Sequence, residues 1–219
     1  MSAESRAMLL AGALLAATAF LGTALLGLAN WHSKPFIAEN KRQALLHSLE
    51  IVMPAGRFDN DILADTTLIG DPELLRMEGG TRVYRARKEG VPVAAAFRIV
   101  APDGYAGDIE LMMGVSAQGA ITGVRVINHH ETPGLGDEIE AQRSDWILGF
   151  AGKSLANPRE SGWRVKRDGG EFDQFTGATI TPRAVVGAVQ RGLKFFQRHR
   201  EQVFRADLPV AGTAPEQEQ

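Results

Sequence analysis

The sequence predicts an α+β domain, with an antiparallel sheet and packed helices, that follows one N-terminal transmembrane helix. Three observations lead to this fold class. Residues 7–31 include no charged residue, pairs of β-rich runs follow that are joined by short turns, and an amphipathic helical pattern comes last. The 219 residues suffice for one domain of ordinary size plus an anchor.

The composition excludes several classes of function. Hydrophobic residues make up 44% of the chain and charged residues 23%, which is typical of a protein with a buried core. The formal net charge is -2, and the scattered Lys and Arg residues offer no concentrated positive surface for nucleic acid. Because the chain has no cysteine, disulfides, thiolate zinc sites and iron–sulfur ligation are excluded, and redox chemistry requires an organic cofactor.

The N-terminal segment 1–31 is predicted to contain the membrane anchor. Residues 7–31 are rich in Ala, Leu and Gly, and about 20 apolar residues in a helix span the hydrocarbon core of a bilayer. The alternative is a signal peptide cleaved after Ala29, since Gly27-Leu28-Ala29 has the small residues that signal peptidase accepts. We favour a retained anchor, because the apolar run exceeds the roughly 7–15 residues of a signal core.

The charges that flank the anchor predict its orientation. Arg6 precedes the anchor, whereas Lys34, Lys41 and Arg42 follow it. The positive-inside rule therefore places the large domain in the cytoplasm.

A juxtamembrane helix, segment 32–56, is predicted between the anchor and the main domain. Residues 36–52 show apolar positions near helical spacing with charges between them, and Pro54 and Gly56 are expected to end the helix. The main domain then occupies residues 57–204. The final segment, 205–219, is rich in Pro, Ala, Glu and Gln and is predicted to be a flexible tail.

Two hairpins are predicted in the first half of the domain. One pairs strand 82–87 with strand 91–100 through the turn Lys88-Glu89-Gly90. The other pairs strand 108–115 with strand 121–128, and the Gly119 in its connection can adopt the positive φ that such turns require. One twisted antiparallel sheet is the simplest arrangement of these strands.

The segment His129-His130-Glu131-Thr132-Pro133-Gly134-Leu135-Gly136 is rich in turn-forming residues and is predicted to be a loop. A metal site is disfavoured, because adjacent histidines in an extended segment point to opposite faces. The glycines allow a close approach of the backbone to a neighbour. That neighbour is either a packed helix or a flat cofactor, and spacing alone leaves both interpretations open.

The last ordered region is predicted to contain a short strand over 163–166, a turn at 168–170 and a long helix. Thr181 is the predicted N-cap and Pro182 the first helical residue. The apolar positions that follow repeat with helical spacing and should face the sheet. The helix is expected to fade near His199.

Arg183 in the first turn of this helix is unusual, because first turns favour Asp or Glu near the positive end of the helix dipole. A bound anion would account for the cation, since backbone N–H groups at a helix N-terminus bind phosphate. The alternative is an ordinary helix whose Arg183 points to solvent.

Two motifs identify a family resemblance. Asp173-Gln174-Phe175-Thr176-Gly177-Ala178-Thr179 matches the flavinylation motif of FMN-binding domains. Together with the 129–136 segment, Ser144-Asp145-Trp146 and the single anchor, it makes the chain resemble the G-subunit family of the Rnf electron-transport complex from the anchor to about Phe196. A related alternative is the C-subunit family of the sodium-pumping NADH:quinone oxidoreductase, whose members are typically longer.

The resemblance implies a covalent FMN that is joined to Thr179 through a phosphoester. Asp173 corresponds to the acidic motif position, which is expected to serve a flavin transferase that uses FAD. The other residues implied to shape the site are Thr176, Gly177, Ala178 and Thr181 near the phosphate, and Glu131, Thr132, Gly134, Leu135 and Gly136 beside the flavin ring. Arg183 is also expected near the phosphate, because of its position at the positive end of the helix dipole.

The function that the resemblance implies is that of an electron-carrier subunit, without a substrate site of its own. The resemblance implies that this subunit belongs to a complex in the bacterial inner membrane, and that the complex couples ferredoxin and NAD redox chemistry to ion translocation. The implied partners are the other membrane and redox subunits, the lipid bilayer and the flavin transferase. The family places the domain in the periplasm, contrary to the flanking charges. The alternative from a different class is a flavin-free membrane-anchored assembly module.

Overall fold

The computed structural model describes residues 3–53, 56 and 58–205. The chain divides into two compact units, Met1–Leu45 and Leu46–Gln219. The helices and strands are α1 (Ala3–Val52), β1 (Thr66–Ile69), α2 (Pro72–Leu75), β2 (Thr81–Lys88), β3 (Val91–Gly104), β4 (Gly107–Ser116), β5 (Ile121–Asn128) and α3 (Ile180–Phe204), with short 3-10 helices at Gly136–Ile139, Trp146–Phe150, Glu160–Gly162 and Lys166–Asp168.

Helix α1 includes both the predicted anchor and the predicted helix 36–52. Its stretch Leu10–Lys34 is long and apolar enough to cross a membrane, and the side chains described there are exposed. The helix ends at Val52, as predicted, and Gly56 lies in a turn with a φ of 87°. Pro54, which was expected to help to end the helix, lies outside the described residues, as does the predicted tail from residue 206.

Both predicted hairpins are confirmed in the second unit, where they form one antiparallel sheet in the order β1-β2-β3-β4-β5. Glu89 and Gly90 both have positive φ, at 51° and 78°, and this backbone twist suits a tight turn between antiparallel strands. Gly119 has a φ of 90° in the β4–β5 connection, as predicted. The short elements β1 and α2 were not predicted from the sequence.

Helix α3 packs its apolar face on the sheet. A Cβ placed on Gly192 would lie 2.7 Å from Met113 Sδ, so the helix runs close to β4 at this point. The rings of Phe97 and Phe195 lie 5.1 Å apart. The helix continues beyond His199, where it was expected to fade, because Val203 is buried and Phe204 packs on Phe196.

The opposite face of the sheet receives the end of α1. Thr122 Oγ1 donates a hydrogen bond to the backbone oxygen of Val52 at 2.5 Å, which satisfies a carbonyl in the last turn of the helix. A Cβ on Gly114 would lie 2.3 Å from that same oxygen, and one on Gly123 would lie 3.1 Å from Val52 Cα. The two glycines thus let the helix end approach the sheet backbone.

The strand predicted over 163–166 is wrong. The chain turns back on itself here, because the backbone N–H of Lys166 donates to Phe172 O at 2.7 Å and that of Phe172 donates to Arg164 O at 3.2 Å. A Cβ on Gly170 would lie 2.0 Å from Arg164 O. The backbone groups are therefore satisfied within this tight loop, and the predicted turn at 168–170 is present, with a φ of 82° at Gly169.

Candidate functional site

Helix α3 begins earlier than the sequence predicted. Its first residue is Ile180 and its N-cap is Thr179, so the assignment of Thr181 as N-cap and Pro182 as first helical residue is wrong. Thr181 lies inside the first turn of the helix, and its buried hydroxyl donates to Glu131. Pro182 still lies in the first turn, where a missing N–H leaves no hydrogen bond unmade.

The hydroxyl of Thr179 makes no capping hydrogen bond, although the residue occupies the N-cap position. It follows a tight turn in which the N–H of Ala178 donates to Phe175 O at 3.2 Å. Gly177 has a φ of 83° in this turn, a conformation that glycine adopts without strain. Thr176 and Gly177 are exposed and Thr179 is half-buried, so the turn presents the threonine at the surface.

The loop that contains Thr132, Gly134, Leu135 and Gly136 lies against this turn. The N–H groups of Leu135 and Gly136 both donate to Thr132 O, at 3.1 and 3.0 Å. Leu135 is 43% exposed, and a Cβ placed on Gly177 would lie 3.5 Å from its Cδ2. The structure thus brings together the two motifs that are distant in the sequence.

Glu131 lies beneath this loop, with only 4% of its surface exposed. Its Oε2 accepts the hydroxyl of Thr181 and its Oε1 accepts the N–H of Ala106 at 3.1 Å. Its carboxylate oxygens are therefore bonded within the protein, whereas the sequence grouped this residue with those beside the flavin ring.

Arg183 has a partner that the sequence does not reveal. Its guanidinium forms two hydrogen bonds with Asp168, of 2.6 and 2.9 Å. These bonds hold the pKa of the Asp168 carboxyl below its usual range and raise that of Arg183. The premise that only a bound anion or solvent could face this cation is wrong, because a loop carboxylate already pairs with it.

Asp173, the acidic residue of the motif, is exposed and held at two points. Its carboxylate accepts a hydrogen bond from Lys166 Nζ at 2.6 Å, and its backbone oxygen accepts one from Trp146 Nε1 at 2.8 Å. The second contact involves one of the residues that supported the family resemblance. Sequence spacing gave no sign of these contacts, because both partners lie on short 3-10 helices that the sequence pattern does not reveal.

A cluster of aromatic rings lies directly behind the motif. The ring centroid of Phe150 lies 4.8 Å from that of Phe172 and 5.3 Å from that of Trp146. The centroid of Trp146 lies 5.1 Å from that of Phe175. Trp163 packs on Phe172 at 5.2 Å. Sequence reasoning missed this cluster, whose members follow neither a helical nor a strand period. Their rings hold the segment before the tight turn in place.

The two loop histidines do not form a joint site. His129 Nε2 lies 2.7 Å from Glu140 Oε1, and its Nδ1 accepts the N–H of Glu131 at 3.0 Å. His130 is exposed. Within residues 3–53, 56 and 58–205, no group of three or more His, Asp or Glu side chains is arranged to hold a metal ion.

The arrangement fits a phosphate-linked flavin. A hydroxyl that makes no capping bond lies at the N-terminus of a long helix, where backbone N–H groups and the helix dipole stabilise an anion. Exposed Leu135 and Ile180, at 43% and 45%, offer apolar surface for a planar ring. Ile180 was not among the residues identified from the sequence.

Known proteins match the chain over nearly its whole length. Residues 104–194 match the model of the FMN-binding domain family, and residues 1–52 match the model described as RnfG N-terminal region. The G subunit of the ion-translocating oxidoreductase complex of Cereibacter sphaeroides is 47% identical over 202 residues, which cover 92% of this chain and 90% of that protein. Its counterpart in Pseudomonas aeruginosa is 45% identical over 202 residues, covering 92% and 94% of the two chains.

A third relative agrees with these two. The G subunit of the same complex in Shewanella oneidensis is 43% identical over 197 residues, which cover 90% of this chain and 93% of that protein. Because several such relatives span almost the full length of the sequence, we conclude that the chain belongs to the G-subunit family of the ion-translocating oxidoreductase, or Rnf, complex.

Proposed function

We propose that the chain is an electron-carrier subunit with FMN bound covalently to Thr179 in a membrane complex that couples ferredoxin and NAD redox chemistry to ion translocation. The observation that carries the proposal is the uncapped Thr179 hydroxyl at the start of α3, at the end of the 173–179 motif. The match to the FMN-binding domain family and the names of the relatives support it.

The residues around Thr179 each have a distinct part in this proposal. The first N–H groups of α3 stabilise the single negative charge of a phosphodiester. Gly177 and Ala178 keep the turn compact, and Thr176 lies on its exposed side. Leu135 and Ile180 cover the flavin ring, while the backbone of the loop at Thr132, Gly134 and Gly136 offers polar groups to its edge. FMN, when bound, supplies one-electron transfer.

Attachment requires a flavin transferase that uses FAD. The Thr179 oxygen forms the new bond to the FMN phosphorus, the diphosphate bond of FAD breaks, AMP leaves, and the hydroxyl proton passes to a base. The half-buried Thr179 and the exposed Thr176 and Gly177 are accessible for this reaction. Asp173, exposed and paired with Lys166, contributes to recognition by the transferase.

The proposed partners are the lipid bilayer and the other membrane and redox subunits of the complex. No substrate pocket of the chain itself is part of the proposal.

In-gel flavin fluorescence of the denatured full-length protein tests the proposal, since a covalent flavin survives denaturation. A folded chain without fluorescence would instead favour a flavin-free membrane-anchored assembly module. A flavinylated chain that assembles with the sodium-pumping NADH:quinone oxidoreductase would favour the function of that enzyme's related C subunit.

We further propose that α1 anchors the protein in the bacterial inner membrane, with the domain in the periplasm. A reporter that fluoresces only in the cytoplasm, fused after Arg205, should give dark cells. The same reporter fused before Met1 should give bright cells and serves as the control for expression. Bright cells from the C-terminal fusion would show that the flanking charges, Lys34, Lys41 and Arg42, orient the protein instead.

We expect Arg183 to contact the FMN phosphate in addition to Asp168. Replacing Arg183 with Gln should lower the melting temperature of the flavinylated protein by about 2–4 °C more than that of the Thr179→Val protein, because only the former loses a phosphate contact. The Asp168→Asn variant breaks the same ion pair but leaves the cation, so it is the matched control. Equal shifts of Arg183→Gln in both backgrounds would show that Arg183 does not contact the phosphate.

A further inference from the structure

The carboxylate of Glu131 joins three segments that are far apart in the sequence. Its Oε1 accepts the N–H of Ala106 in the β3–β4 turn at 3.1 Å. Its Oε2 accepts the hydroxyl of Thr181 in the first turn of α3. The residue itself belongs to the loop, where its own N–H donates to His129 Nδ1 at 3.0 Å. One buried side chain thus holds a sheet turn, the loop and the helix start together.

The carboxylate is enclosed by backbone. A Cβ placed on Gly104 would lie 2.9 Å from Glu131 Oε1, and one on Gly136 would lie 2.7 Å from Oε2. The glycines therefore leave room for the carboxylate and for little else. Within the described part of the chain, no cation forms an ion pair with it. Two hydrogen-bond donors and the N-terminal dipole of α3 offset the loss of its hydration.

Both donors need an acceptor, and the carboxylate offers one to each. A glutamine would keep both contacts, because its carbonyl can accept the Ala106 N–H while its NH2 group donates to the Thr181 oxygen. A methionine has a similar length and no oxygen or N–H, so both donors lose their acceptor. Loss of one buried hydrogen bond shifts the equilibrium between the state in which the bonded segment is held and the state in which it is released by about tenfold. The released group would be the turn or the first residues of α3, which include the helix start beside Thr179.

We propose that Glu131 is a positioning residue of the flavin site. It acts through Thr181, which it bonds to the loop, and so holds the start of α3 against Leu135 and the tight turn. This inference rests on the proposed attachment of FMN to Thr179. It assigns Glu131 a role without contact to the flavin.

The test compares Glu131→Met with Glu138→Met in the full-length, flavinylated protein in detergent. Glu138 is an exposed carboxylate in the adjacent 3-10 helix, so the control makes the same chemical change away from the buried contacts of Glu131. We expect the Glu131→Met protein to keep its FMN by mass while the released state becomes at least about tenfold more populated. The visible circular dichroism and the fluorescence anisotropy of the flavin should then fall, and those of the control should match the wild type.

Two changes at Thr181 keep the proposal testable if Glu131→Met does not fold. Thr181→Val removes the hydroxyl and should weaken the same flavin signals, whereas Thr181→Ser keeps the donor and should restore them. Wild-type signals in Glu131→Met or in Thr181→Val would overturn the inference. A wild-type protein that has no covalent flavin would instead overturn the proposed function, so the two failures are distinguishable.

Discussion

The Thr179→Val protein is expected to fold normally and to lose its covalent FMN completely. Valine has nearly the shape of threonine but has no oxygen that can form a phosphoester. The Thr179 hydroxyl makes no capping hydrogen bond, so its removal should change the free energy of unfolding by less than about 0.5 kcal/mol. Loss of flavin would then result from the missing nucleophile and not from unfolding.

Intact-mass measurement and thermal melting of the full chain test this expectation together. Thr67→Val is the matched control, because Thr67 is also half-buried and lies on β1, outside the motif and loop of the proposed site. The control should gain one FMN when it is produced with a flavin transferase. A Thr179→Val chain that is still heavier by one FMN would show that another residue is the attachment point.

Replacing Phe150 with Ala is expected to destabilise the domain by about 3–5 kcal/mol, the usual effect of truncating a fully buried aromatic side chain. The Phe150 ring is completely buried and stacks on Phe172 at 4.8 Å. It also contacts Trp146, which bonds the backbone of Asp173. The change should therefore loosen the segment that precedes Thr179 as well as the core.

Denaturant unfolding of the full-length protein measures this effect. Leu148→Ala is the control in the same 3-10 helix, because Leu148 is 39% exposed. Its truncation should cost clearly less, about 1 kcal/mol or below. A loss of less than about 1 kcal/mol in Phe150→Ala would show that the aromatic cluster does not support the domain in this way.

The hairpins and the sheet-facing side of α3 could be predicted from the sequence because their information is local. The strands alternate or run as β-rich segments between turn residues, and Gly119 marks a turn that needs positive φ. The repeat of apolar residues in α3 likewise reports a buried face. Such patterns depend on neighbours a few residues away.

The start of α3 could not be predicted in the same way, because it depends on a distant residue. Threonine is a residue type that commonly caps helices, but the hydroxyl of Thr181 is bonded to Glu131 in the 129–136 loop. The partner of Arg183 is hidden for a similar reason, since Asp168 reaches it across an irregular segment. The aromatic cluster at residues 146–175 has no period at all, and only tertiary packing defines it.

The two motifs of the candidate site could be identified from the sequence, but the residues that hold these motifs in place could not. The tight turn with Gly177 and the loop with Leu135 meet, in keeping with the two motifs. The residues that hold the turn and the loop in place, such as Trp146 and the buried Glu131, act through hydrogen bonds between remote segments. A single sequence does not show which of its polar residues are bonded to one another.

Mass spectrometry of the tryptic peptide 168–183 from the wild-type protein after full denaturation tests the covalent attachment of FMN to Thr179 most directly. The protein should be produced in cells that contain a flavin transferase. We expect a peptide heavier by one FMN less one water, with fragment ions that place the addition on Thr179. A peptide of unmodified mass, or flavin that is released on denaturation, would contradict it.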